Sequence, residues 1–262
     1  PGGILRHICF YRKFKTSPNK DICVPNRGRR RRERGVNAGL RNLPKPEALF
    51  SEIKSVVEQG NYERAVEIYG AILAGWRGQA KICERACVGV GEVYITLRNL
   101  RLAEKYVKQA LSYNPLSPHY HYLLGFIYSV DCQWDRARVE FEIALKKDPE
   151  NPEYLRGLGW VLCNCGRVRK GRRYLLRALA LAPDDVSILT NLALVHADER
   201  EFDKALEYAQ RAAHIAPGNA LVQLACEVLA HLRDFADDAR CRGERAKRAK
   251  LSGTTFRAER RR

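Results

Sequence analysis

The stretch LKKDPENPEYLRGLGW, residues 145–160, ends one amphipathic run in Asp-Pro and, after a single Glu, opens another with Asn-Pro. Pro149 cannot donate a helical hydrogen bond and biases Asp148 away from helical geometry, so a helix stops there. Asn151 before Pro152 is a capping side chain followed by a proline at the first helical position, so a helix starts there. DPENP is a joint between two helices, and the joint recurs. Pro115, Pro149, Pro183 and Pro217 are each 34 residues apart. Ala110, Ala144, Ala178 and Ala212 keep that spacing, as do Gly91, Gly125, Gly159 and Ala193, and Ala103, Ala137, Gly171 and Ala205. Four registers at one period define an internal repeat.

Each unit reads as a pair of antiparallel helices. In residues 118–151 the run PHYHYLLGFIYSV puts Leu124, Gly125 and Tyr128 on one helical face. The polar turn DCQWD follows, and RARVEFEIALKK then carries Ala137, Phe141 and Ala144 at helical spacing. Small residues let the two helices approach, and the larger ones fill the seam between them.

Leu124, Gly125, Tyr128, Ala137, Phe141, Ala144 and Pro149 resemble the 34-residue pattern of the tetratricopeptide repeat. The next unit matches through Leu158, Gly159, Gly171, Leu175, Ala178 and Pro183, and the one after through Leu192, Ala193, Ala205, Ala212 and Pro217. Gly91, Tyr94, Ala103, Ala110 and Pro115 match in the unit before. The resemblance implies an all-α fold, a right-handed α-solenoid of antiparallel hairpins with about five to six repeats. Four good units fall at 84–117, 118–151, 152–185 and 186–219. A looser first unit spans 46–79 on the strength of GNYERAVEIY, and a degenerate cap begins at 220, where Ala239 keeps the phase. Four extra residues separate units one and two, which predicts a tilted or shifted first hairpin. His196 stands where Tyr is usual and Gly171 where Ala is usual, both read as core adjustments.

The net charge of +17 belongs to the ends. Residues 1–45 carry a net +11 and residues 240–262 a net +8, while the body between is close to neutral. The expected organisation is a basic, disordered segment at 1–45, a solenoid at 46–250 and a basic tail at 251–262. No run approaches the ~20 apolar residues a membrane helix needs, and GILRHICFY near the start is too short and broken for a signal-peptide core. The chain therefore reads as soluble and cytoplasmic. Nine cysteines, lying mostly in helix-like segments, read as reduced core thiols rather than a disulfide framework. Methionine is absent, position 1 included, which fits a fragment, a processed form or a translated stretch without its natural start.

No catalytic constellation emerges, so the reading is not an enzyme, with no cofactor and no metal. GVGEVY (89–94) lacks the third glycine of a dinucleotide loop and has no strand before it. Cys83 and Cys87 share a helix face, but nothing in the sequence ties them to the CNC at 163–165.

What remains is surface. The family resemblance implies that first helices line a concave groove through their second, fifth, ninth and twelfth positions. These are Arg85, Val88, Glu92 and Ile95, then His119, Tyr122, Phe126 and Ser129. Glu153, Arg156, Trp160 and Cys163 follow, then Ser187, Thr190, Leu194 and Ala197. Phe126 and Trp160 share the ninth position in adjacent repeats and are expected to be neighbours, with Tyr122 and Arg156 one turn earlier. Some family members clamp acidic chaperone C-termini with a Lys-Asn, Asn, Lys-Arg set. Asn191 matches the central Asn and Arg156 substitutes for the first Lys. Trp160, Leu221 and Ala225 replace other clamp residues, which argues against that ligand. The expected partner site is Glu92, His119, Tyr122, Phe126, Arg156, Trp160 and Asn191, in a non-catalytic scaffold or adaptor that binds a protein segment or helix. A different class of reading is a nucleic-acid-associated protein. It rests on RGRRRRERG (27–35) and on a convex basic patch of Arg169, Lys170, Arg172 and Arg173.

Overall fold

A computed structural model describes residues 44–259, with side chains through 244. Residues 1–43 of the basic segment, with the arginine run at 27–35, lie outside the described residues. Among the described residues there are eleven helices and no strand. They are α1 Pro46–Glu58, α2 Tyr62–Gly75, α3 Ala80–Thr96, α4 Leu100–Tyr113, α5 Pro118–Val130, α6 Trp134–Lys147, α7 Pro152–Asn164, α8 Val168–Leu181, α9 Val186–Asp198, α10 Phe202–Ile215 and α11 Ala220–Glu259. None is long and apolar enough to cross a membrane.

The joints behave as their residues require. Proline opens α1, α5 and α7 at the position where a missing N–H goes unnoticed. The Asn151 side chain accepts from the N–H groups of Glu153 and Tyr154, Asp185 from Ser187 and Ile188, and Asn219 from Leu221 and Val222. Between the two helices of a hairpin the chain turns through a left-handed residue, at Gly60, Arg98, Cys132, Gly166 and Arg200. From Arg98 onward these positions are 34 apart. Gly60 precedes Arg98 by 38, so the four extra residues sit between these two turns.

Packing follows the small-residue registers. Ala65, Ala103, Ala110, Ala137, Ala144, Ala178, Ala205 and Ala212 have no exposed surface. Gly125 lies against the Phe141 ring, and Gly91 against Val107. Each helix packs on the next, so hairpins stack in chain order. The core is accordingly a series of overlapping clusters rather than one centre. First helices of successive hairpins also touch, α5 on α7 and α7 on α9, without comparable contact between second helices. The stack is therefore drawn in on the first-helix side.

The two ends of the array differ from its middle. The first hairpin meets the second through Tyr69, whose ring lies so close to Gly89 that a Cβ there would be 2.1 Å from the hydroxyl. At the other end no second hairpin helix turns back after 220. The expected cap and the expected tail from 251 are one 40-residue helix, α11, running on to Glu259, with Ala239 exposed. Neither a proline nor a recurrence of the left-handed turn interrupts it.

Candidate functional site: the first-helix face

The inner face is built by α3, α5, α7 and α9. Glu92 on α3, His119 and Tyr122 on α5, and Arg156 on α7 form a continuous line across three helices. Glu92 Oε1 lies 3.4 Å from His119 Nε2. The His119 ring stacks on Tyr122 at 6.3 Å between centroids, 23° from parallel. Arg156 Nη2 donates to the Tyr122 hydroxyl at 3.3 Å. Tyr122 is wedged further by Tyr154 at 5.3 Å and by the core ring of Phe141 at 5.8 Å. Burial pushes the Tyr122 hydroxyl above the ordinary tyrosine range, and the nearby guanidinium draws it part of the way back. It is a neutral donor and acceptor at physiological pH. Gly157 clears the space for this arrangement, since a Cβ there would lie 2.5 Å from the Phe141 ring.

Four of the seven expected groove residues are thus joined. Phe126 and Trp160 are half-buried and pack against two different core clusters. They do not meet as neighbouring rings, Phe126 packing on the cluster that runs from α3 to α7 and Trp160 on the one that runs from α7 to α9. Asn191 is half-buried on α9. At the twelfth position Cys163 and Ala197 are buried in the core, so they do not line the groove as expected. Cys163 points at the partner helix instead, its Sγ 3.9 Å from the Val168 carbonyl oxygen at the start of α8 and close against Gly171.

A broader concavity lies on the same face beyond Glu92 and was not legible in the sequence. It encloses about 860 Å³ and is lined by residues of α1, α2, α3 and α5. The Arg85 guanidinium sits 4.0 Å over the Phe50 ring, which meets Tyr69 edge-on at 6.4 Å. Tyr120 donates to Glu84 Oε1 at 2.8 Å, and Asn114 Nδ2 donates to the same oxygen at 3.1 Å. Burial, then the Glu84 carboxylate, drives the Tyr120 hydroxyl far above its usual range. The one hint of this hollow was the four-residue excess, which the fold takes up as an extra turn of α3, 17 residues against 13 in the other first helices.

On the opposite side, Arg169, Lys170 and Arg173 are exposed, whereas Arg172 turns to Glu199 at 2.5 Å, so it leaves the patch. His196, the substitute for the usual Tyr, is buried, stacked on Tyr208 at 5.4 Å and bonded through Nδ1 to Glu201 at 2.8 Å. That hydrogen bond, with one from Lys204, holds the Glu201 carboxyl below its usual range. His196, Glu199 and Glu201 converge closely enough to hold a cation. Arg172 and Lys204 already satisfy the two carboxylates, so the trio is internally charge-paired. The buried thiols of Cys87 and Cys163 are not poised as nucleophiles either. Desolvation pushes Cys87 up to about 11 and Cys163 up to about 12.

Relatives share this architecture. Tetratricopeptide-repeat family models match residues 84–115 and 166–220. The human cell division cycle protein 16 homolog is 27% identical over 138 residues, which are 49% of this chain and 22% of that protein. The structure of the APC/C hetero-tetramer Cut9–Hcn1 superposes with a TM-score of 0.61 at 16% identity, over 70% of this chain and 36% of that one. A thermophilic TPR protein of Thermus thermophilus superposes with a TM-score of 0.61 at 17% identity, over 71% and 98%. PilF of Pseudomonas aeruginosa gives 0.58 at 20% identity, over 82% and 93%. The chain thus spans about a fifth of the human relative's length and about a third of the Cut9–Hcn1 chain.

Proposed function

The chain belongs to the tetratricopeptide-repeat family, and from that premise we propose that it is a non-catalytic interaction scaffold holding a protein segment along its first-helix face. The observation that carries this reading is the line Glu92–His119–Tyr122–Arg156. It places an acid, an imidazole, an aromatic and a guanidinium in mutual contact across three helices, partly exposed and already ordered. Side chains held in one geometry before binding lose less rotamer freedom on contact, which is how recognition anchors gain affinity. Phe126 and Trp160 contribute apolar floor on either side of this line, and Asn191 extends it by one hairpin. The concavity around Phe50 and Arg85 continues it in the other direction and gives a segment room to enter. That a structural relative is crystallised within a hetero-tetramer accords with a role in assembly.

The test is capture of partners by the full chain in high salt, alongside a His119→Ala/Arg156→Ala variant. These residues project from the fold, whereas alanine at Phe126 or Trp160 would also open the core. A protein retained by the wild type and lost by the variant, with equal helicity, supports groove recognition. Identical recoveries from both baits would sink it.

A further inference from the structure

The α8 helix, VRKGRRYLLRALAL, has no acidic residue. The other hairpin second helices all do: Glu63 and Glu67 in α2, Glu104 in α4, Asp135, Glu140 and Glu142 in α6, Asp203 and Glu207 in α10. Arg169 and Lys170 sit in the first turn of α8, where the helix dipole disfavours cations. Lys170 with Arg173, Arg169 with Arg173, and Arg173 with Arg177 are like-charge neighbours at helical spacing, each pair mildly destabilising. Among the described residues no ion pair offsets Arg169, Lys170 or Arg173. Arg177 is exposed, its Nη2 donating to the Pro149 carbonyl at 3.0 Å, which fixes its guanidinium beside the helix. A local arrangement that opposes its own helix is the kind expected at a functional site.

Shape supports the same conclusion. A depression of about 290 Å³ is lined by Lys170, Arg173, Tyr174 and Arg177. A second, of about 510 Å³, wraps the start of α8 at Gly166, Arg167, Val168, Arg169 and Lys170, with Glu199 at its edge. Lys170 belongs to both, so the two form one track. At 1.5 Å per residue, positions 166–177 span roughly 16 Å, which an extended segment of about five residues would cover. Glu199 is neutralised by Arg172.

We propose that this track on the second-helix face of α8 is a docking site for an acidic protein segment, in extended conformation, whose carboxylates pair with Lys170, Arg173 and Arg177. Alternate side chains of an extended strand lie about 7 Å apart, against about 5.4 Å between helical turns, a difference that long Lys and Arg side chains span by splaying. Guanidinium groups bind carboxylates bidentately. Nucleic acid fits less well, because Tyr174 is the only aromatic on the track and is half-buried between two core clusters, so bases have no platform to stack on. The site is separate from the first-helix groove and does not depend on it.

The test uses the full chain and a fluorescein-labelled hexaglutamate peptide, followed by anisotropy. The wild type should bind, with affinity falling as salt rises, and Lys170→Glu/Arg173→Glu should weaken binding at least tenfold at unchanged helicity. Arg77→Glu/Arg101→Glu makes the same change in net charge at exposed positions off the track and should leave binding nearly intact. Failure of the wild type to bind, or equal losses in both variants, overturns the proposal, the latter by assigning the affinity to general charge and the basic ends. Tighter binding of a ten-nucleotide uridine RNA, lost in the track variant alone, would overturn it in favour of phosphate recognition.

Discussion

Gly171 holds the second-helix position at which the neighbouring repeats carry alanine, and its missing methyl is structural. A Cβ there would lie 2.4 Å from Cys163 Sγ and 2.5 Å from the Gly159 carbonyl oxygen. Backbone does not yield as a flexible side chain does, so Gly171→Ala should destabilise by about 1–3 kcal/mol. The readout is a lower urea midpoint at unchanged slope. Gly70 gives the opposite sign. It lies inside α2, where an added methyl would meet nothing within 4 Å, so Gly70→Ala should stabilise by about 0.5–1 kcal/mol. If both substitutions shift the midpoint the same way, the close-approach argument is wrong. At the same scale, the buried thiols set a pH dependence. Cys87 and Cys163 stay protonated in the fold up to about 11 and 12, whereas in the unfolded chain they ionise near ~8.5. A group whose folded pKa is raised supports the fold fully below its unfolded value. Stability should therefore fall as pH rises from about 8.5 through that window. Urea midpoints between pH 8 and 10 measure it, and Cys87→Ala/Cys163→Ala should flatten the slope.

Each hairpin depends on one turn residue with positive φ, and the five turns do not use the same chemistry. Gly60 and Gly166 adopt φ of 76° and 79° freely, while Arg98, Cys132 and Arg200 adopt 59–62° against the strain that a Cβ imposes. Gly166→Ala should consequently weaken the α7–α8 hairpin by about 1 kcal/mol. Cys132→Gly should be nearly neutral, because relief of about 1 kcal/mol is offset by the greater freedom glycine gives the unfolded chain, about 0.5–1 kcal/mol. Thermal or urea unfolding of the two variants checks the pair. A clear gain for Cys132→Gly would mean the unfolded-state contribution is smaller than argued. The last helix is a different kind of element. Val222 and Leu229 anchor α11 on its predecessor, whereas Leu221, Leu224, Val228 and Phe235 remain exposed.

Across the molecule, stability should be distributed as in a one-dimensional array, each hairpin supported mainly by its neighbours. The largest cluster spans α3 to α7, with Leu124, Ile127, Phe141 and Leu162 fully buried. Amide exchange is accordingly expected to be slowest in α3–α7. It should be faster in α1–α2, which meets the array through the Tyr69–Gly89 contact, and fastest in the far part of α11. Uniform protection along the chain would contradict this and imply a single cooperative unit.

Much of this fold was written in the sequence. Prolines, caps and small residues act over a few positions, so a 34-residue period of Pro, Gly and Ala dictated helix ends, hairpin pairing and the order of stacking by itself. Glu92, His119, Tyr122 and Arg156 were named because the family resemblance implies which first-helix positions face the groove, but which of the seven named residues touch one another was not legible. Tertiary structure decided the rest. That Phe126 and Trp160 are half-buried against two different clusters depends on how several helices meet around them. That Arg172 leaves the basic patch depends on Glu199, 27 residues on, reaching it at the end of α9. The hollow around Phe50 and Arg85 forms where α1, α2, α3 and α5 meet, with α3 lengthened to 17 residues by the four added ones. The period defines each repeat, but the angle and offset between repeats arise from side chains meeting across helices, and no local pattern in the sequence encodes them.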